Sequence, residues 1–133
     1  MKYRGGYKYQ LAENEEKVLP YEFAGVEVKT EFLWIHRGTL YIKSGYAWDG
    51  ASGPTWDSES SMTPSLVHDA LYQLMRMGLL GGEYRAEADK IFRDMCIEKG
   101  MFKWRANLWY KAVRLGAKSA TLPENRKKEY EAP

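Results

Sequence analysis

A chain of 133 residues can build one ordinary domain and not two. Its 44% hydrophobic and 29% charged residues, with five Trp and ten Tyr, exclude a disordered chain. Lys and Arg total 20 against 18 Asp and Glu, a net charge of +2 that is too slight for a nucleic-acid binder, and the lone Cys96 excludes an intrachain disulfide or a Cys-rich zinc module.

Tyr7 to Leu11 reads as a weak first strand. Val26 to Thr30 alternates apolar and polar residues, as a half-buried strand does. Phe32 to His36, Arg37-Gly38 and Thr39 to Lys43 spell a hairpin with glycine at its turn, and Trp34 and Tyr41 are expected in its core. From Ser44 to Pro54 the texture changes. Gly45, Gly50, Gly53 and Pro54 predict a loop whose backbone takes conformations that other residues avoid. Thr63-Pro64 predicts a helix start, a capping hydroxyl followed by proline at the first helical position. That helix runs to about Gly78 with Val67, Ala70, Leu71 and Leu74 as its apolar stripe, and Gly81-Gly82 makes the turn. A second helix spans about Glu83 to Lys99, with Ala88, Ile91, Phe92 and Met95 facing inward and Gly100 ending it. The short link predicts that the two helices run antiparallel. A third helix spans Lys103 to about Ala120, before a polar tail. The expectation is an α+β fold in a single domain, residues 1–133. It divides into a β-rich part to 47, a glycine-rich loop over 48–62, a helical part over 63–120 and a tail over 121–133.

Histidine chemistry can use only His36 or His68. His68 and Tyr72 are four apart and share one helix face, whereas Asp69 is rotated by roughly 100° and serves other neighbours. Asp89 flanks the apolar face of the second helix, where a carboxylate is costly without a partner. His68 is one candidate partner and Arg85, four positions earlier, another. A carboxylate on one imidazole nitrogen leaves the other as a base for water. Asp69 with oxygens of the glycine-rich loop would suit a hard cation such as Ca²⁺. Taken singly, each of these residues is more often structural, and only their conjunction points to chemistry.

His68-Asp69-Ala70-Leu71-Tyr72 resembles the H-D-x-x-Y helix of the phospholipase A2 superfamily, and Ala88-Asp89-Lys90-Ile91-Phe92 resembles the aspartate segment of its second long helix. The nearest pattern is the disulfide-free parvovirus capsid type, with a G-Y-x-Y-x-G-P-G-N loop. Gly45, Tyr46 and Gly50 match that loop, with Trp48 at its second aromatic. Ser52 and Gly53 replace glycine and asparagine there, and Asp49 adds a carboxylate. The resemblance implies His68 as general base, Asp89 as its orienting carboxylate and Tyr72 as a supporting hydrogen-bonding group. It implies a Ca²⁺ site of Asp69 and the loop carbonyls near Trp48, Gly50 and Ser52. Asp49 would be an extra ligand, a loop cap or a substitute for a carbonyl.

A second likeness covers roughly Val18 to Gly116. Asp49-Gly50-Ala51-Ser52-x-Pro54, His68-Asp69-x-Leu71-Tyr72 and Arg85-x-x-Ala88-Asp89-x-x-Phe92 resemble an uncharacterised family of small proteins encoded by tailed phages and prophages. Together the two likenesses imply a phage-encoded, metal-dependent lipid esterase. The alternative is a non-catalytic accessory or virion-associated protein with the same residues in a structural or ion-binding network.

The third helix places Lys103, Asn107, Lys111, Arg114 and Lys118 on one side, with Trp104, Leu108, Trp109, Ala112, Val113 and Leu115 on the other. Trp104, Lys111, Arg114 and Lys118 are thus candidates for contact with a phospholipid surface. Packing of the apolar side on the first two helices is the competing expectation. Other phage proteins are further candidate partners. No run approaches the ~18 apolar residues of a spanning helix, and Met1 to Tyr7 lacks a signal peptide's apolar core. Host cytoplasm or the virion is therefore the expected location.

Overall fold

The computed structural model describes residues 3–4, 9–48 and 59–116. Its contacts gather into two units divided after residue 49, and the α+β class holds.

Among the described residues, the first unit is β apart from one 3-10 turn at Tyr21–Phe23. Its strands are β1 (Tyr3–Arg4), β2 (Tyr9–Leu11), β3 (Glu15–Val18), β4 (Val28–Lys29), β5 (Leu33–His36), β6 (Thr39–Ile42) and β7 (Ala47–Trp48). They form two antiparallel sheets, ordered β1-β2-β7 and β3-β6-β5-β4. The predicted hairpin is β5-β6, with Trp34 opposite Tyr41 and His36 opposite Thr39. Its turn residues Arg37 and Gly38 have φ of 48° and 76°, the positive pair that a two-residue type I′ turn requires. A period of two buries Leu33, Ile35, Leu40 and Ile42 on one face. Trp34 and Tyr41 stand on the opposite, half-buried face. The expectation that they belong to the core is therefore corrected by strand alternation.

The strand expected over Val26 to Thr30 is only two residues long, because Val26 N–H is engaged by Phe23 O at the end of the 3-10 turn. The segment read as plain loop holds β7, which closes the first sheet against β2. Leu11 and Gly45–Tyr46 exchange backbone bonds at 2.7 and 2.8 Å, and Gly45 takes φ of 99°. Tyr46 and Trp48 are fully buried, and Trp48 packs on the Tyr9 ring at 5.6 Å.

The second unit has three helices, α1 (Glu59–Arg76), α2 (Arg85–Glu98) and α3 (Lys103–Gly116), with a 3-10 turn at Gly82–Tyr84 before α2. Helix α1 begins four residues before the predicted Thr63 start, so Pro64 lies inside it. Proline's fixed φ is helical, but past the first turn its missing N–H leaves one backbone bond unmade and its ring crowds the preceding turn. Both α1 and α2 stop as Schellman caps. Leu79 N–H reaches Leu74 O and Met101 N–H reaches Cys96 O, each at 2.9 Å, while Gly78 and Gly100 take φ of 74° and 102°. The stripes Val67, Ala70, Leu71, Leu74 and Ala88, Ile91, Phe92, Met95 are all buried, as their spacing predicts.

Helix α3 inserts Ala106 and Trp109 into a cluster with Phe92, Cys96 and Met101, the Phe92 and Trp109 rings stacking at 5.6 Å. Burial pushes the Cys96 thiol up to about 12, so it packs as a small apolar group and is no nucleophile. The predicted apolar side of α3 is thus divided. Trp109 faces the core, while Trp104, Leu108 and Leu115 are exposed. No helix among the described residues is long and apolar enough to cross a membrane.

Candidate active site

Helix periodicity brings His68 and Tyr72 to one face of α1, and the interior stripe of α2 carries Asp89 between Ala88 and Phe92. Three groups converge on the Asp89 carboxylate, which is 0% exposed. His68 Nε2 lies 2.7 Å from Oδ1, Tyr72 OH donates to the same oxygen at 2.6 Å, and Arg114 Nη1 donates to Oδ2 at 2.9 Å. Arg85 Nη1 stands 3.9 Å from Oδ2, a charge contact without a hydrogen bond. The His68 ring packs on Tyr72 and Phe92, with centroids at 4.1 and 5.1 Å. These rings flank the imidazole that the carboxylate holds.

Charge explains why Asp89 remains ionised at this depth. Burial raises its carboxyl pKa, but the hydrogen bonds from His68, Tyr72 and Arg114 outweigh that cost and hold it below the usual carboxylate range. Burial, followed by the bond to Asp89 and its charge, pushes the Tyr72 hydroxyl up. Tyr72 is therefore a donor to Asp89 at every physiological pH. With Asp89 at Nε2, the neutral imidazole carries its proton on that nitrogen and presents a lone pair at Nδ1. No described residue bonds Nδ1, and 14% of the His68 side chain is exposed.

The structure thus brings together three of the predicted residues, His68, Tyr72 and Asp89, and it joins both candidate partners, His68 and Arg85, to the carboxylate. Sequence reasoning missed Arg114 here, having placed it on the basic side of α3 as a candidate for a lipid surface. The available signal was energetic. A buried carboxylate calls for cationic partners, and α3 carries four basic residues, Lys103, Arg105, Lys111 and Arg114.

Of the predicted metal ligands, only Asp69 and Trp48 are among the described residues. Asp69 is half-buried on a different flank of α1 from His68. That flank continues into Gln73 and Arg76, both buried, with Arg76 Nη2 donating to Gln73 Oε1 at 2.7 Å. Gln73 Nε2 has no partner among the described residues. Trp48 belongs to β7 of the first unit, and Asp49, Gly50 and Ser52 lie outside the described residues. No group of three or more His, Cys, Asp or Glu side chains suited to a metal occurs among the described residues. Of the residues assigned to a lipid surface, Trp104 and Lys111 are exposed, Arg114 is engaged by Asp89, and Lys118 is outside the described residues.

No curated protein and no solved structure matches the chain significantly. A family model does match, over residues 26–113, which is more than half of the chain and contains every member of the His68 site except Arg114. This chain belongs to that family, DUF1353, described as proteins of unknown function.

Proposed function

We propose that the chain is a phage-encoded, metal-dependent hydrolase of the phospholipase A2 type, with His68 activating water for attack on a lipid ester. The observation that supports this reading is the 2.7 Å contact of Asp89 with His68 Nε2, which leaves Nδ1 as the base. Nδ1 takes a proton from water as the oxygen adds to the ester carbonyl. The bond from that carbon to the leaving alkoxide then breaks, and the imidazolium returns its proton to the alkoxide. Water and ester become acid and alcohol without a covalent intermediate. Tyr72 and Arg114 act on the carboxylate and not on the substrate, so they are positioning residues.

Asp69 with the carbonyls of Gly50 and Ser52 would offer the all-oxygen donors that Ca²⁺ takes. Bound there, the cation would supply polarisation of the ester carbonyl. The exposed Trp104, Leu108 and Leu115, with Lys111 beside them, support an anionic lipid surface as the partner.

One observation favours a second reading, in which the protein is a non-catalytic phage accessory or virion component. Arg114 ties α3 to α2 through Asp89, as a structural network would. Release of fatty acid from anionic phospholipid vesicles, with and without Ca²⁺, separates the two. As a hydrolase, the chain should lose roughly 10²- to 10⁴-fold in rate on His68→Ala. Activity unchanged by that substitution removes His68 as the base. Folded wild-type protein that is inactive at every Ca²⁺ level leaves the accessory reading.

A further inference from the structure

The solvent face of the second sheet is built unlike an ordinary polar surface. Register aligns Glu16, Tyr41, Trp34 and Lys29 in one row across all four strands. Within the row, the Trp34 and Tyr41 ring centroids are 5.2 Å apart, and Lys29 Nζ lies 4.8 Å from the Trp34 ring. Along the row a cavity of about 370 Å³ opens, lined by Glu16, Lys29, Glu31, Trp34, Tyr41 and Lys43 among others. That volume is within the range of small-ligand sites, roughly 300–1,000 Å³. Cross-strand pairing alone would account for the aromatic contacts. It does not account for a concavity into which uncommitted groups converge. Glu16, Glu31 and Lys43 make no ion pair among the described residues.

We propose that this cavity is a binding site for a neutral carbohydrate, with a pyranose ring against Tyr41 and its hydroxyls on the surrounding carboxylates and ammonium groups. The charges select the class. Glu15, Glu16 and Glu31 would repel a phosphate or carboxylate ligand, and Lys29 and Lys43 would repel an organic cation. A hydroxyl both donates and accepts, so it satisfies ammonium and carboxylate neighbours alike. The half-buried Tyr41 ring supplies apolar area for the C–H face of a sugar, beside a Trp34 held in place by His36, Lys29 and Glu27. The cavity lies within the first unit and shares no residue with the His68 site, so the proposal is independent of the hydrolytic reading.

The test titrates the full chain with neutral tetrasaccharides of glucose, galactose and N-acetylglucosamine, following backbone and indole N–H resonances. At least one sugar should give saturable shifts at Glu16, Lys29, Trp34 and Tyr41, with a Kd of about 1 mM. Tyr41→Ala should weaken that binding by about tenfold. Glu31→Gln lies off the strands, so it keeps the sheet intact and should weaken binding through its lost acceptor strength alone. Absence of saturable shifts with all three sugars overturns the proposal. Shifts confined to other residues, or saturation only by an anionic polysaccharide or a nucleotide, overturn it equally.

Discussion

Each unit carries one histidine in contact with one carboxylate, at the same distance and in different surroundings. On the sheet, His36 Nδ1 lies 2.7 Å from Glu27 Oε1, and Trp34 Nε1 donates to Oε2 at 3.0 Å. In the helical unit, His68 Nε2 lies 2.7 Å from Asp89 Oδ1. The side chains of the first pair are 38% and 60% exposed, and those of the second are 14% and 0% exposed. Both carboxyls are held below their ordinary range, Glu27 by the Trp34 and His36 hydrogen bonds and Asp89 by His68, Tyr72 and Arg114 against its burial. The lesson is that geometry alone does not make a site. Water screens the first pair and competes for its hydrogen bonds, while the second is surrounded by protein that both strengthens and depends on it.

The largest expected difference follows from removing each carboxylate. Asp89→Ala strands Arg114 and the Tyr72 hydroxyl and should cost about 3–5 kcal/mol in urea unfolding. Glu27→Ala should leave the midpoint within experimental scatter. Equal losses at the two positions would show that burial does not separate the pairs.

A smaller effect is expected at Tyr72. Tyr72→Phe keeps the ring packing on His68 and deletes one donor to a buried charge, a loss of about 1.5–3 kcal/mol. The same variant should lift the Asp89 carboxyl toward its ordinary range, visible in its carbon chemical shift on acid titration. A carboxyl that stays where it was would assign its depression to Arg114 and His68 alone.

The smallest effect is one of pH. Asp89 titrates lower in the folded chain than in the unfolded one, so its contribution is complete above the ordinary carboxylate pKa near 4. It drains away as pH falls from there toward the folded value, because the unfolded chain binds the proton first. Asp89→Asn should therefore flatten the acid limb of the stability curve over that interval. Glu27→Gln should change the limb only at low salt, where exposed charges are least screened.

Much of this architecture is legible in the chain because its causes are local. The Arg37-Gly38 turn, the Gly78 and Gly100 caps and the stripes of α1 and α2 each arise from residues within a few positions of one another. The placement of His68 and Tyr72 on one face is local in the same sense. Even the misreadings are instructive. Thr63-Pro64 has the chemistry of a helix start, yet the helix begins at Glu59 and carries Pro64 inside it without that residue's backbone bond. The two-residue β7 carries too little alternation to show a period, and it exists because β2 offers it a partner.

By itself the sequence determined periods and spacings: where helices and the hairpin form, and that an imidazole, a phenol and a carboxylate ride on helix faces able to meet. Tertiary structure decided which way each face turned. It sent Trp34 and Tyr41 outward, split the apolar side of α3 between core and solvent, and brought Arg114 across 25 residues to Asp89. The physical reason is one of range. Backbone geometry repeats every two or 3.6 residues and is written in neighbouring side chains, whereas the rotation of a packed element and the compensation of a buried charge depend on groups distant in the chain.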